Sequence, residues 1–496
     1  MSKDSSRRGF LQGAAGLAGA APLATLMTSR PAVASEGGQT GVANGQTRTL
    51  AEFATTLQYE EIPPEVVQRA KDTIADTVAT IMYGSTLPWS KMIAAYARHN
   101  GPGGNSRILG AGPARVHAPS AALANGAAAH AFELDNLTKP NSGSHPGATI
   151  LAPALAVAQD RGNSGRELIT AFVAAAEVMI RIGVATRHSQ EQNGFHAPGT
   201  TGPFGSAVST ARLLHLDVTQ TQNAIGIAAS TAGGLLEFAK SGPGGMVKRL
   251  HLGRAAESGV LASSLAAEGF TAPVSSLEGE FGFLRVFCRD YDMNALTAGL
   301  RQTWLTNTIM IKRYAAHITA HTPVEGTIAL MQAHHFSGPE IASIAIQTTD
   351  RAVRVNSTLQ PKDILLAQYS IPFCVALAVY RNPVDPRSFD EGAVNHADIM
   401  GLAARVQMSA LPPPENRSDM TSLVTITLKD GRSFNQRTTA FAGTPERPLT
   451  VAQLKEKFLM LTHDFGEPGM TRAFNRLQNL ESEKTLEWIG AGNEAG

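Results

Sequence analysis

The chain has 496 residues, 42 Lys+Arg against 41 Asp+Glu, 43% hydrophobic and 17% charged residues, an ordinary globular composition with length enough for two domains. A net charge of +1 and 6% aromatic residues offer neither field nor stacking surface to a nucleic acid, so no nucleic-acid partner is expected. Two cysteines, Cys288 and Cys374, are too few for a four-thiolate zinc site or a thiolate-held iron–sulfur cluster, and their apolar neighbours predict buried free thiols.

The N-terminus opens with Ser6-Arg7-Arg8-Gly9-Phe10-Leu11, a mildly apolar Ala/Gly/Leu stretch to Met27, then Ala32-Val33-Ala34 before Ser35. This reads as a twin-arginine export signal over residues 1–34 with a small-residue cleavage site. It predicts a periplasmic protein, the export machinery as a partner, a nearly neutral mature chain and no membrane association after cleavage. Residues 35–48, rich in Gly, Gln, Asn and Thr, read as a flexible leader.

From Pro63 to Arg301, apolar residues recur every three or four positions, predicting helices over 65–82, 168–182, 207–214 and 255–265. Gly/Pro clusters at 101–104, 140–147, 198–205 and 242–245 punctuate them, and Ala-rich faces predict close helix packing. After Ile311 the pattern changes. A helix over 322–335 precedes the alternation Ala342-Ile344-Ile346-Thr348; Val424-Ile426-Leu428 leads into an Asp430-Gly431 turn; helices return at 450–461 and near 475–488. The expected fold class is mainly α: a discontinuous all-helical domain, 49–308 and 446–496, with a smaller α+β lid domain inserted at 309–445.

Walker, dinucleotide, GxSxG and HExxH motifs are absent, and no cofactor is expected. Lys, His and acidic residues instead gather beside the helix breaks. Glu133-Leu134-Asp135-Asn136 ends one helix and His145 starts the next, so a carboxylate and an imidazole flank one loop and can form an acid/base pair. His196 precedes a helix start, where an anion is favoured. Lys248 and His251, three apart with Arg249 between, share a face after a glycine turn and can hold a carboxylate or carry a proton. Lys312 precedes His317 and His321, which read as four apart on one helix face with Glu325 continuing the row; that is also metal-ligand spacing, although no metal is expected. Tyr369 can supply a phenolic proton or simply pack.

Several blocks then become familiar together: Glu-Leu-Asp-Asn with His145-Pro146-Gly147; Ala176-Glu177-Val178 with Arg181-Ile182-Gly183; Phe195-His196, Thr200 and Phe204-Gly205; Lys248-Arg249-Leu250-His251 through Gly253-Arg254-Ala255-Ala256 to Ser258-Gly259; and Leu277-Glu278-Gly279 with Phe281-Gly282-Phe283. From about Leu50 to Leu461 the chain resembles the MmgE/PrpD family of methylcitrate dehydratases, cis-aconitate decarboxylases and an imino-dicarboxylate epimerase. The resemblance implies a helical domain with a lid, a cofactor-free site between them and a homodimer. It implies the family's acidic residue at Glu133 or Asp135, its histidines at His145 and His196, its lysine at Lys248, its lid pair at Lys312 and His317, and, less securely, its tyrosine at Tyr369. Two departures, Asp135-Asn136-Leu137 where many relatives read Asp-Asp-Thr and Tyr314-Ala315-Ala316-His317 in the lid, are expected at substrate contacts.

These residue types fit a lyase that grips a small di- or tricarboxylate with Lys248, Lys312 and Arg249, with His251 and Tyr369 nearby. The lysines disperse the charge formed when a proton leaves carbon, and His145, His196 or Lys248 moves that proton. Dehydration of the methylcitrate type is the first expectation, and decarboxylation or epimerisation the alternative. A periplasmic carboxylate-binding protein, and a metal hydrolase built on His317 and His321, are the competing classes.

Overall fold

The computed structural model describes residues 45–140, 142–239, 245–415 and 420–490, and these fold mainly as helices. The expected signal, 1–34, and most of the leader lie outside the described residues. The leader's end does not: a helix starts at Gln46, inside the 35–48 span. Glu278 anchors it, accepting hydrogen bonds from the Thr47 amide at 3.3 Å and from the Thr47 hydroxyl.

The helices Pro64–Ser85, Gly165–Ala185 and Val247–Ala267 contain the expected periodic stretches. The expected break at 198–205 is not one, because a single helix runs over Ala197–Leu213 with Pro203 inside it. Packing explains the glycines there. A Cβ at Gly202 would stand 2.7 Å from Thr149 Cγ2, and one at Gly205 2.6 Å from Met179 Sδ, so these positions admit neighbouring helices rather than end their own. The Ala118–Ala129 helix, which packs on Val247–Ala267, escaped notice because it is buried almost all round and carries no polar face to set a period.

The same close approach makes a test. A Cβ at Gly259 would lie 2.2 Å from Ser206 Cβ. Gly259→Leu is expected to lower the unfolding free energy by about 1–3 kcal/mol, read as a lower urea midpoint at unchanged slope. An unchanged midpoint would show that the two helices can part without loss.

The α+β stretch contains a four-stranded sheet in the order Val406–Ala410, Ile341–Thr348, Ser422–Leu428, Ser433–Thr438, parallel for the first pair and antiparallel for the rest. Gly431, at φ +89°, makes the expected turn between the last two strands. Burial alternates along Ser422–Leu428, placing Val424, Ile426 and Leu428 in the core under the His321–His334 helix. Cys288 and Cys374 are buried free thiols.

The chain then returns to the helical part. Val451–Leu461, capped by Thr450 and Gln453, and Glu467–Gln478 both pack on Pro64–Ser85. The last helix therefore lies earlier than the expected 475–488, and residues 479–490 form turns and one short 3-10 segment, Leu480–Ser482.

Two features carry the lid's first residues to the helical part. Leu137–Thr138 pairs antiparallel with Ile309–Met310. Upstream, the buried Glu177–Arg181 ion pair braces residues 298–306: Glu177 accepts from the amides of Leu305 at 3.0 Å and Thr306 at 2.7 Å, and Arg181 donates to the carbonyls of Ala298 at 3.1 Å and Thr303 at 2.8 Å. Glu and Arg inside so apolar a helix are tolerated because every charge is spent on a partner.

Candidate active site

Four helix breaks converge. Glu133 sits beyond the end of the Ala118–Ala129 helix in the left-handed region, at φ +57°, a conformation disfavoured for a non-glycine residue. That twist sends its carboxylate between two lysines. Lys248, in the first turn of its helix, donates to Oε1, and Lys312, from the lid, donates to Oε2 at 3.0 Å. The three side chains are only 2–4% exposed. Burial pushes the Glu133 carboxyl up, but the two ammoniums outweigh it and hold the group well below the usual carboxylate range. Burial pulls Lys248 below its ordinary value, with Glu133 opposing.

Beside this triad lies a second one. Asp135 Oδ2 is 2.7 Å from His145 Nδ1 and 2.8 Å from His130 Nδ1, and Asp135 is fully buried. Burial raises its carboxyl, but the two imidazoles outweigh that and keep it ionised. Burial drives His130 down to about 3, against the pull of Asp135. An ionised Asp135 can only accept, so each ring donates Nδ1–H to it.

His196, at the residue before its helix, places Nδ1 3.2 Å from His251 Nδ1, and its ring lies 5.9 Å from that of His130. Burial, then the Lys248 charge, holds His196 well below the usual histidine value. His317 Nδ1 lies 2.9 Å from Thr319 Oγ1, which donates to Asn356 Oδ1 at 3.2 Å; burial pushes His317 down to about 3, against Glu133. The Tyr369 ring stands 4.8 Å from the His317 ring and 5.5 Å from Lys248 Nζ. His130, His196 and His317 are thus neutral imidazoles at neutral pH, beside the ionised Glu133 and Asp135.

The MmgE/PrpD N-terminal domain matches residues 48–296 and the MmgE/PrpD C-terminal domain residues 314–480. The chain belongs to the MmgE/PrpD family. It is similar to cis-aconitate decarboxylase from Homo sapiens, 27% identical over 467 residues, which cover 89% of this chain and 94% of the human protein. It is 29% identical over 440 residues to cis-aconitate decarboxylase from Aspergillus terreus, covering 83% and 86% of the two chains. The chain is therefore a lyase-type enzyme, and the solute-binding reading falls away.

Within this MmgE/PrpD frame, Glu133, Asp135, His145, His196, Lys248, Lys312, His317 and Tyr369 come together, with His251 as the partner of His196. Arg249 lies at the edge of this cluster, its charge acting on Lys248 and on Glu133, with its hydrogen bonds turned elsewhere. Its guanidinium donates to the carbonyls of Gly245 at 2.7 Å and Ala131 at 3.3 Å and stacks over Trp89. The His317–His321 row is also not a face: His317 precedes a short 3-10 turn, His321 opens the next helix against Phe441, and Glu325 takes the Tyr314 hydroxyl at 2.6 Å. That removes the spacing behind a metal hydrolase.

The departures fall away from the site as well. Asn136 donates to Asp76 at 3.1 Å and Thr77 at 2.9 Å, Leu137 packs with Met310 and Phe441, and Tyr314 turns to Glu325. A metal has one candidate seat among the described residues, His130, Asp135 and His145, whose ligand atoms lie within 4.8 Å of one another. Their 2.7–2.8 Å contacts are hydrogen-bond spacings, tighter than the roughly 3.3 Å between ligands placed tetrahedrally at about 2.0 Å.

Two residues went unread in the sequence. His130 closes an Ala-rich helix five residues before Asp135, a proximity visible only once the loop is known to fold back. Lys457 is buried and donates to Asp76 Oδ1 at 2.5 Å and to the Lys312 carbonyl at 2.6 Å, fixing the backbone that carries the lid lysine. Its place three residues after Leu454 and four before Leu461 sets it on the buried face of its helix, the signal that could have marked it.

Proposed function

We propose that this MmgE/PrpD member is a cofactor-free decarboxylase of a small unsaturated di- or tricarboxylate, with cis-aconitate as the first substrate to test. The observation that carries the reading is the pair of buried ammoniums, Lys248 and Lys312, sharing one carboxylate, Glu133. Substrate carboxylates that take up those ammoniums are held beside neutral imidazoles. When the C–C bond to one carboxylate breaks, carbon dioxide leaves and the electron pair spreads onto a neighbouring carboxylate. The two fixed cations, buried with Glu133, stabilise that charge where the surroundings screen them least. Lys248, its ammonium made more acidic by burial, then delivers a proton to carbon, and the His145 imidazole, held by Asp135, is placed to relay protons.

The decarboxylases that align with most of the chain support this order over dehydration. The twin-arginine motif supports an exported enzyme, and the family resemblance a homodimer. Incubating the enzyme in heavy water with cis-aconitate and, separately, with a hydroxylated citrate-type acid distinguishes the reactions. The expected result is one carbon dioxide and one carbon-bound deuterium per turnover of cis-aconitate. Water loss from the hydroxy acid without carbon dioxide from either would return the assignment to a dehydratase.

A further inference from the structure

The lid carries a second polar cavity of about 740 Å³ that the reaction does not use. That volume is in the range of small-ligand sites. Three guanidiniums line it, from Arg313, Arg437 and Arg447, against one lining carboxylate, Glu325. Glu325 is already spent: it accepts the Tyr314 hydroxyl at 2.6 Å and Arg447 Nη2 at 3.1 Å. Arg437 pairs with Glu415, and Arg313, half-buried, has no hydrogen-bond or ion-pair acceptor among the described residues. None of Glu133, Asp135, His145, His196, Lys248 or Lys312 borders this cavity.

We infer that this lid cavity is a second anion site, separate from the reacting cluster, that takes a small multiply charged anion of the phosphate or polycarboxylate type. Arginine forks bind such groups through paired hydrogen bonds, and a half-buried guanidinium without an acceptor gains most from one. Arg313 is bonded to Lys312 along the chain, and the Lys312 carbonyl is fixed by Lys457, so an occupant held by Arg313 pulls on the segment that carries the lid ammonium. Charge on the lid thereby reaches the triad without touching it.

Calorimetric titration with inorganic pyrophosphate, and separately with propane-1,2,3-tricarboxylate, tests the inference on the full chain. One equivalent of at least one probe is expected to bind Lys248→Met, whose reacting cluster has lost a cation, and any second equivalent of the tricarboxylate in the unaltered protein belongs to that cluster. Arg313→Gln and Arg437→Gln are each expected to weaken that probe at least tenfold; Arg437 is exposed, so its variant remains informative if the Arg313 variant misfolds. Pyrophosphate binding alone assigns a phosphate-type ligand, and tricarboxylate binding alone a carboxylate. Absence of heat with both probes, equal binding by the arginine variants, or loss of binding only in Lys248→Met would overturn the second site.

Discussion

Lys248→Met is expected to lower kcat/KM on the true substrate by about a thousandfold, or about 4 kcal/mol of transition-state stabilisation, while the thermal midpoint moves little. The side chain keeps its length and apolar stem, so packing in the first turn of Val247–Ala267 is preserved, and Glu133 keeps Lys312 at 3.0 Å. What disappears is one fixed positive charge and the acidic proton it carries. Steady-state kinetics beside a melting curve measure both quantities. Turnover within tenfold of the unaltered enzyme would remove Lys248 from the chemistry and, with it, the cation pair as the source of catalysis.

The second large effect concerns proton position rather than charge. In Asp135→Asn the single oxygen that both rings contact, Oδ2, becomes half of a neutral amide: the charge that fixes both Nδ1–H groups is lost, and wherever the NH2 takes that place the rings must accept instead of donate. A ring facing that NH2 adopts the other tautomer and covers its Nε2 with hydrogen. Reversing the tautomer of a catalytic histidine costs up to about ten thousandfold in other enzymes, and a loss of at least a hundredfold is expected here. Nitrogen-15 shifts of the histidine rings report the tautomers directly. Unchanged ring shifts with unchanged kcat would show that Asp135 is a packing residue.

Much of this was legible from residue order, and the failures share a cause. The lid strands, the return to the helical part and the Asp135–His145 pair follow from periodicity and from loop residues ten apart. Glycine misled at 198–205, because the same residue that ends helices also lets them touch, and only the neighbour decides which. Arg249 and His321 looked like site residues because spacing reports a face but not its azimuth; the first turned to backbone carbonyls and Trp89, the second to Phe441. The Lys457–Asp76 pair was hidden because its two members lie 381 residues apart in sequence.

Glu133 has a consequence for affinity. The resting site is an ion exchanger already loaded with its own counter-ion, so an arriving acid swaps contacts rather than filling an empty hole. Only the surplus over that internal salt is available to hold the guest. A singly charged acid gains almost nothing from the swap, whereas a guest with two or three negative groups can displace the glutamate and still engage the surroundings. Selectivity for charge number follows from this single internal competitor and, under the proposed decarboxylation, so does a modest hold on product once one negative group has left as carbon dioxide.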